Sequence, residues 1–395
     1  MITLTRRSAL LGLTAAISLG GASLAVAAAR TDRRFVVVIL RGALDGMAAV
    51  VPYGDPDLAA LRAPLVPPAP GQPGGLLDLG GFYGLHPALA GLHAMYGSNE
   101  VLPVHAVAGN WRSRSHFDAQ DCLESGADHR MTSGWLNRAV AALPVPAGAA
   151  VGEAMAIGTT VPLLLRGPAP AANWAPSGFA RPDAALYAQV AALNAEDPVT
   201  GPAVAQGLRE RGFSAEALAG APPPGRDRGA FPALAAAAGR MLAAADGPRV
   251  AALEIGGWDT HADQGARLVR PLAALDAGLV ALKEALGPAW QQTAVLVMTE
   301  FGRTARMNGT KGTDHGTATV AFVLGGAVAG GKVRADWPGL AASRLYENRD
   351  LAPTADLRAL AKGLLAQHLG LTQAALARVF PGSERVQADR GLVRA

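Results

Sequence analysis

The chain contains little cysteine, little lysine and no long apolar runs beyond its N-terminus, and each absence excludes a class of structure or function. Cys122 is the one cysteine in 395 residues, so no internal disulfide can form. Positive charge comes almost wholly from arginine, the net charge is +4, and no run of Lys or Arg forms a basic stripe. Nucleic-acid binding therefore has no support. Beyond the N-terminus, no stretch of about 18 residues is free of charges and prolines, so no membrane span is expected there.

The N-terminus has the pattern of a twin-arginine export signal. Arg6 and Arg7 are adjacent, a mild apolar stretch follows, and residues 25–27 (AVA) fit a small-x-small cleavage site. The apolar stretch is rich in Gly and Ala, which favours cleavage over the alternative, a permanent membrane anchor. We therefore expect the twin-arginine translocation machinery to export the chain and residues 1–29 to be removed. The mature protein would then reach the periplasm or the extracellular space with no stable membrane span.

Continuous apolar and β-branched runs predict buried strands. Such runs are typical of parallel sheets, which are covered on both faces. Five of them stand out, over residues 35–40, 100–109, 249–261, 293–304 and 319–326. Helical stretches rich in Ala and Leu separate them. This alternation predicts an α/β fold with a mostly parallel central sheet and helices on both faces.

We assign the whole mature chain, residues 30–395, to a single domain. Residues 142–230 are rich in Pro, Gly and Ala and show no clean alternation of strand and helix. We expect them to form an insertion of long loops and a few short helices that covers an edge of the sheet. Residues 357–382 predict two amphipathic helices that close the fold.

Polar side chains gather where the predicted strands end. In open α/β sheets, ligands bind beyond the carboxyl ends of the strands. The candidates that follow the first four strands, or precede the fifth, are Asp45, Arg112, Arg114, Ser115, His116, Asp259, His261, Glu300, Asp314 and His315. Singly, each has an ordinary explanation, since Asp45 can be a helix cap and His261 a core histidine. Together, five strand ends carrying Asp, Glu, Ser or His predict one shared site.

The donor types predict that this site holds a divalent metal ion. Carboxylates and imidazoles without cysteine suit Zn, Mn, Mg, Ca or Fe. Asp259 and His261 are alternate residues of an extended segment, so they point the same way and can share one ion. The predicted metal ligands are Asp45, Asp259, His261, Glu300, Asp314 and His315.

Ser115 begins a predicted helix that ends at Gly126. Ser is a good N-cap and Gly a good C-terminal stop, and this explanation can be sufficient. A hydroxyl at a helix N-terminus is also placed to attack phosphorus or sulfur, because the free N–H groups attract an anion and a nearby metal activates the hydroxyl. We predict Ser115 as the nucleophile, and we expect Arg112, Arg114 and His116 to bind the anionic oxygens of the substrate.

Five segments of the chain resemble, in order, the characteristic blocks of a large family of exported bacterial proteins of unknown function. The segments are LRGALDGM, RSHFDAQD, IGGWDTH, TEFGRT and GTDHGT. The resemblance covers nearly the whole mature chain and implies the fold of the alkaline phosphatase/sulfatase-like superfamily. It also implies that Asp45 is a metal ligand, that Ser115 takes the place of the nucleophile, and that His315 takes the place of the last ligand.

The chain departs from the superfamily pattern in two blocks. Asp259 and His261 match an Asp and a His with shortened spacing. Where Asp-His-Gly is usual, this chain has Glu300-Phe301-Gly302, so a carboxylate remains and an imidazole is missing. One metal, a different metal pair or a degenerate site each fits this departure. His116 replaces the imidazole only if the start of its helix turns it inward.

Two functions from different classes follow from these observations. The first is an exported metal-dependent hydrolase or transferase that acts on small anionic phosphate or sulfate esters. The alternative is a catalytically degenerate binding or surface-assembly protein that keeps the fold. A periplasmic oxidoreductase partner is a weaker third idea, because the export route alone suggests it and no GxGxxG, haem or flavin motif supports it.

Overall fold

A central sheet of eight strands organises the fold. The structure, a computed structural model, describes residues 32–143, 154–176, 184–198, 200–219 and 230–394. The strands in these residues are β1 Arg34–Arg41, β2 Val50–Val51, β3 Leu77–Asp78, β4 Gly84–Leu85, β5 Val101–Ala108, β6 Ala154–Ile157, β7 Ala171–Trp174, β8 Val250–Gly256, β9 Thr293–Thr299, β10 Thr319–Leu324 and β11 Ala355–Asp356. The predicted signal, residues 1–29, lies outside the described residues.

Helices flank the sheet. Those of the described residues are α1 Gly46–Ala49, α2 Leu58–Arg62, α3 Ala90–Gly97, α4 His116–Ser125, α5 Trp135–Ala142, α6 Ala184–Asn194, α7 Thr200–Ala217, α8 Phe231–Ala243, α9 Gln264–Arg267, α10 Val269–Leu286, α11 Leu357–Gln367 and α12 Gln373–Val379. Both helices predicted for the tail are therefore present. Within the described part of the chain, no helix combines the length and the hydropathy that crossing a bilayer requires.

The order of strands across the sheet is β11-β5-β10-β9-β1-β8-β6-β7. β1 pairs in parallel with β8 and β9, and the pairs β8–β6, β6–β7 and β5–β11 are also parallel. β10 is the exception, since it runs antiparallel to both β5 and β9. The predicted α/β fold with a mostly parallel sheet is confirmed, and all five predicted strands are in it.

Both faces of the sheet are buried, which explains why the strands are apolar throughout. Along β1, Val36 and Leu40 point into one core, whereas Phe35, Val37 and Ile39 point into the other. The first core is covered by α3, α8 and α10, and the second by α5, α11 and α12. Each fully buried aliphatic side chain contributes about 1.5–3 kcal/mol, so a polar residue on either face of β1 would be costly.

The insertion differs from the expectation of loops and short helices. Its described part adds β6 and β7 to the edge of the sheet, and α7 is 18 residues long. β6 and β7 have four residues each. Such short runs, rich in Ala, show no period that separates a strand from a loop. A second small antiparallel sheet, in the order β2-β4-β3, was also not predicted.

The reversed direction of β10 brings five loops to one edge of the sheet. The carboxyl ends of β1, β5, β8 and β9 lie at this edge because these strands run the same way. The amino end of β10 lies there too, because β10 runs the opposite way. The segment before β10 therefore meets the segments that follow the other strands.

Candidate metal centre

Three imidazoles and one carboxylate converge at this edge. His315 Nε2 lies 3.0 Å from His116 Nε2 and 3.0 Å from His261 Nε2. Asp259 Oδ1 lies 3.0 Å from His261 Nε2 and 3.2 Å from His315 Nε2. Asp259 Oδ2 lies 3.5 Å from His116 Nε2. We call these four side chains the His₃Asp cluster.

An oxygen atom orients each imidazole of the His₃Asp cluster through its other nitrogen. Glu300 Oε1 lies 2.7 Å from His116 Nδ1, Asp314 Oδ1 lies 3.1 Å from His261 Nδ1, and the Arg114 carbonyl oxygen lies 2.8 Å from His315 Nδ1. Carboxylate and carbonyl oxygens accept hydrogen bonds, so the hydrogen of each neutral imidazole is assigned to Nδ1. In the tautomer with the hydrogen on Nδ1, each Nε2 turns a lone pair toward the other members of the cluster, as in metal-binding histidines whose Nδ1–H is held by an oxygen.

Most separations within the cluster approach those of ligands on one ion, and the ligand atoms of His116, Asp259 and His315 all lie within 4.8 Å of one another. Ligands about 2.0–2.1 Å from a tetrahedral metal are about 3.3 Å from one another. The separations given above between cluster atoms run from 3.0 to 3.5 Å. Lone pairs that face each other at this distance repel, and a cation between them removes the repulsion. The donor set and its spacing therefore fit a metal ion.

The charged groups around the cluster shift one another's pKa values. The hydrogen bond to Glu300 raises the pKa of His116 above its usual value, whereas burial lowers the pKa of His315. Burial alone would raise the pKa of Glu300, but hydrogen bonds from His116 and Gln120 outweigh it and lower that pKa. Burial alone would also raise the pKa of Asp259, but the hydrogen bond and the charge of Arg303 outweigh it and lower that pKa. Both carboxylates are therefore held in the ionised form that metal binding and histidine orientation require.

α4 carries His116 into the site. Ser115 occupies the N-cap position and Gly126 ends the helix in the left-handed conformation, at φ 64°, as predicted. The first residue of the helix faces inward, so the His116 imidazole lies beside Glu300 and His315. The Phe301 ring packs against His116, with ring centroids 4.9 Å apart, and fixes its orientation.

Two glycines explain the composition of the loop before β10. A Cβ at Gly312 would lie 2.2 Å from the backbone carbonyl of His261, and one at Gly316 would lie 2.4 Å from the backbone of Arg303. A side chain at either position would push apart the segments that carry His261, Arg303 and His315. The glycines therefore permit the close backbone contact that places His315 in the cluster.

Arg303 was not predicted as a functional residue. Its side chain is fully buried, and it donates hydrogen bonds to Asp259 Oδ1 and to the side chain and carbonyl of Thr313. An arginine after a strand carries no sequence signal that separates it from a surface residue. In the structure it fixes the Asp259 carboxylate, whose own side chain is 42% exposed.

Asp45, predicted as a metal ligand, lies outside the His₃Asp cluster. Its oxygens accept from Arg62 Nη1 at 2.8 and 3.0 Å, from Gln264 Nε2 at 2.6 Å and from the Met47 N–H at 3.1 Å. Asp45 and Arg62 are both buried, with 1% of each side chain exposed. The carboxylate is thus a helix cap and half of a buried ion pair, because a guanidinium occupies the position a cation would need.

Glu300 and Asp314 also take roles other than the predicted one. Each accepts the Nδ1–H of a histidine, so in this arrangement they orient His116 and His261 rather than face the centre of the cluster. Glu300 is fully buried. Asp314 is half exposed and is also bonded to Asn308 Nδ2, at 3.2 Å.

The arginines predicted to bind substrate are bonded to groups outside the cluster. Arg112 donates to the carbonyl of Gly109, and Arg114 pairs with Glu347 and Asp350. The Arg114 contribution to the site is its backbone carbonyl. The Ser115 side chain is half-buried and makes no capping hydrogen bond to its helix. Ser115 stands between two residues that contact the cluster, and its role as nucleophile stays a prediction.

Comparisons with known proteins give a family and weak structural likenesses. The family whose model matches residues 90–380 is described as "Protein of unknown function (DUF1501)". No curated protein matches the chain. A crystal structure of Ps i-CgsB in complex with k-i-k-neocarrahexaose is similar at a TM-score of 0.41 and 9% identity, over 90% of this chain and 77% of that one. A protein in the alkaline phosphatase superfamily from Vibrio parahaemolyticus is similar at a TM-score of 0.32 and 11% identity, over 84% of this chain and 72% of that one.

Proposed function

Since this chain belongs to the DUF1501 family, whose function is unknown, its activity has to be inferred from its own side chains, and we propose that it is an exported metal-dependent hydrolase or transferase acting on phosphate or sulfate esters. The observation that carries the proposal is the set of three Nε2 atoms and one carboxylate, each histidine oriented by an oxygen. The resemblance of the sequence blocks to the alkaline phosphatase/sulfatase-like superfamily supports the choice of ester class.

His116, Asp259, His261 and His315 would hold the metal. Three imidazoles and one carboxylate favour Zn, Mn or Fe, because Ca and Mg prefer oxygen ligands. A bound divalent cation supplies charge that stabilises the negative charge developing on the ester oxygens. Arg303 holds Asp259, and the acceptors of the three Nδ1–H groups hold the imidazoles, so the ligands are fixed before the ion binds.

Ser115 is the proposed nucleophile. The carbonyl before it accepts from His315 Nδ1, and the residue after it is His116, so the backbone of Ser115 lies beside the cluster. Its oxygen would form a bond to phosphorus or sulfur while the bond to the alcohol oxygen breaks. The departing alcohol takes up the proton that the hydroxyl loses. Water then hydrolyses the seryl ester and restores Ser115, or a second alcohol accepts the group in a transferase.

Metal analysis of the mature protein, followed by a panel of phosphate and sulfate esters, tests this proposal. We expect about one metal ion per chain and turnover of at least one ester class. His315→Ala should lose both the metal and the activity, whereas His129→Ala, a change at an exposed histidine paired with Asp128, should keep both. A protein that binds no metal, with or without added Zn, Mn or Fe, contradicts the proposal.

The alternative is a binding protein that keeps the metal and lacks the reaction. The side chains of Arg112 and Arg114 favour it, because neither is directed at the cluster to hold an anion. If the protein binds stoichiometric metal and turns over no ester, and if Ser115→Ala binds metal as the wild type does, the binding protein is favoured over the hydrolase.

Export to the periplasm or the extracellular space is part of the proposal and is supported by the Arg6-Arg7 leader. Fractionation of cells that express the full chain tests it. We expect the mature protein outside the cytoplasm, and we expect Arg6→Lys with Arg7→Lys to retain it inside.

A further inference from the structure

A cavity of about 320 Å³ opens at the carboxyl ends of β6, β7 and β8. Its size is at the lower end for small-molecule sites, which span roughly 300–1,000 Å³. Ile157, Pro162 and Leu234 give it apolar walls, and Thr159 and Thr160 add hydroxyl groups. We call this space the β8 cavity. It lies at the same edge of the sheet as the His₃Asp cluster, because both stand at the carboxyl ends of parallel strands.

Hydrogen bonds connect the β8 cavity to the cluster. Glu254 lines the cavity and pairs with Arg41. Arg41 Nη1 donates to Gln120 Oε1 at 3.0 Å, and Gln120 Nε2 donates to Glu300 Oε1 at 2.9 Å. Glu300 in turn accepts from His116 Nδ1. The side chains on the cavity wall and those that orient the cluster are therefore parts of one network.

The end of β8 leaves an open surface between the two places. Gly256 lies two residues after Glu254, so the two positions face the same side of the strand. Gly256 is exposed, and a Cβ placed there would approach nothing closer than 3.9 Å. Gly257 is exposed as well, and a Cβ there would approach nothing closer than 3.8 Å. Asp259 of the cluster lies two residues after Gly257.

The charge of the β8 cavity restricts what it can accept. Of the cavity-lining residues in the described chain, Glu254 is the one that carries a charge, and 35% of its side chain is exposed. A second anionic group on the ligand would meet this carboxylate, whose partner Arg41 is shared with Glu124, and no lining residue in the described part of the chain is a cation. An uncharged group, in contrast, loses water to apolar walls and gains about 0.8 kcal/mol per buried methylene.

We propose that the β8 cavity is the subsite for the alcohol part of the ester, and that it selects an uncharged, largely apolar alcohol over one with a second anionic group. This inference rests on the proposed function, since it places the anionic ester group at the His₃Asp cluster. The chain of the alcohol then runs over Gly256 into the cavity.

Binding of alkylphosphonates to the zinc-loaded protein, measured by calorimetry, tests this subsite without any turnover. Methylphosphonate reports on the cluster alone, and octylphosphonate adds the long apolar chain that the proposal places in the cavity. We expect octylphosphonate to bind at least tenfold more tightly than methylphosphonate. Gly256→Val should remove this gain and change the affinity for methylphosphonate less than twofold. Gly97→Val is the matched control, because a Cβ at Gly97 also meets nothing within 4 Å and the position is remote from the sheet edge.

A second comparison tests the charge. We expect 8-phosphonooctanoate, in which a carboxylate replaces the terminal methyl of octylphosphonate, to bind at least tenfold more weakly than octylphosphonate. We expect Glu254→Gln to restore most of the lost affinity. Equal affinity for the two long ligands overturns the selectivity. If affinity in the wild-type protein does not increase with chain length, or if it increases equally in Gly256→Val, the subsite is overturned. Either result leaves the proposed function intact. If neither methyl- nor octylphosphonate binds to the zinc-loaded protein, the anion site of the proposed function fails, and the subsite fails with it.

Discussion

Replacing Glu300 by Gln tests whether the oxygen acceptors behind the histidines serve a metal. Glu300 Oε1 accepts three hydrogen bonds, from His116 Nδ1 at 2.7 Å, Gln120 Nε2 at 2.9 Å and the Gly42 N–H at 2.9 Å. Gln has the same shape and keeps one oxygen acceptor, so the change removes mainly the charge. A charge-assisted hydrogen bond is worth about 1–1.5 kcal/mol more than a neutral one, so we expect the metal dissociation constant to rise roughly tenfold.

The pH of the measurement decides whether this effect is seen. The hydrogen bond to Glu300 raises the pKa of His116, so in the wild-type protein protons compete with the metal for His116 at a higher pH than usual. Glu300→Gln removes that shift, which favours metal binding in acid and opposes the lost acceptor. As the pH rises, the imidazole becomes increasingly neutral in both proteins, and the weaker metal binding then dominates the difference. We therefore expect the difference to be largest near pH 8 and to shrink toward pH 6.

Competition with a chelating dye measures both effects. Glu347→Gln is the matched control, because Glu347 is a half-exposed carboxylate whose partner Arg114 keeps its pair with Asp350. This control should bind metal like the wild type at both pH values. Equal metal affinity in wild type and Glu300→Gln at pH 8 would refute the view that Glu300 orients a metal ligand.

Three further predictions concern single residues. Ser115→Ala should abolish turnover of any established ester substrate and keep the metal. Because Ser115 makes no capping bond, urea unfolding should show less than about 0.5 kcal/mol of lost stability. Full activity of this variant would show that Ser115 is not the nucleophile. Arg62→Met should reduce the unfolding free energy by about 3–5 kcal/mol, because it leaves the buried Asp45 carboxylate unpaired, and adding Asp45→Asn should recover part of the loss; an unchanged urea midpoint would contradict this. Burial lowers the pKa of His105 and of His368 to about 4, so both favour the neutral form in the folded protein, and the stability they hold above about pH 6.5 is lost as the pH falls toward 4. With a chelator present, urea unfolding at pH 5 should show about 2 kcal/mol less stability per histidine than at pH 7.5, and replacing both by Gln should flatten the dependence.

The strands of the central sheet could be predicted because burial on both faces leaves a plain signal. β1, β5, β8, β9 and β10 are continuous apolar runs, and each lies within its predicted range to within about two residues at most ends. The direction of β10 carries no such signal, since an apolar run reads alike both ways. His315 precedes β10, and it lies at the same edge as the residues that follow the other strands because β10 is antiparallel to its neighbours.

The members of the site could be predicted better than their roles. Strand ends indicated Asp259, His261 and His315, and the same reasoning indicated Asp45, which also follows a strand. What separates them is a partner distant in sequence, since Arg62 pairs with Asp45 and no local pattern announces that contact. The inward turn of His116 depends on how α4 packs, which a single sequence does not specify.

The buried pair of Asp45 and Arg62 favours one metal site over two in the function that we propose. A second ion bound through Asp45 would need its lone pairs, and these already accept from Arg62, Gln264 and the backbone of Met47. It would also lie beside the Arg62 guanidinium, which cannot move into solvent because only 1% of its side chain is exposed. The repulsion between two buried cations exceeds what one shared carboxylate can offset. We therefore place a single ion at the His₃Asp cluster in the proposed function, whereas the positive charge beside Asp45 is that of Arg62.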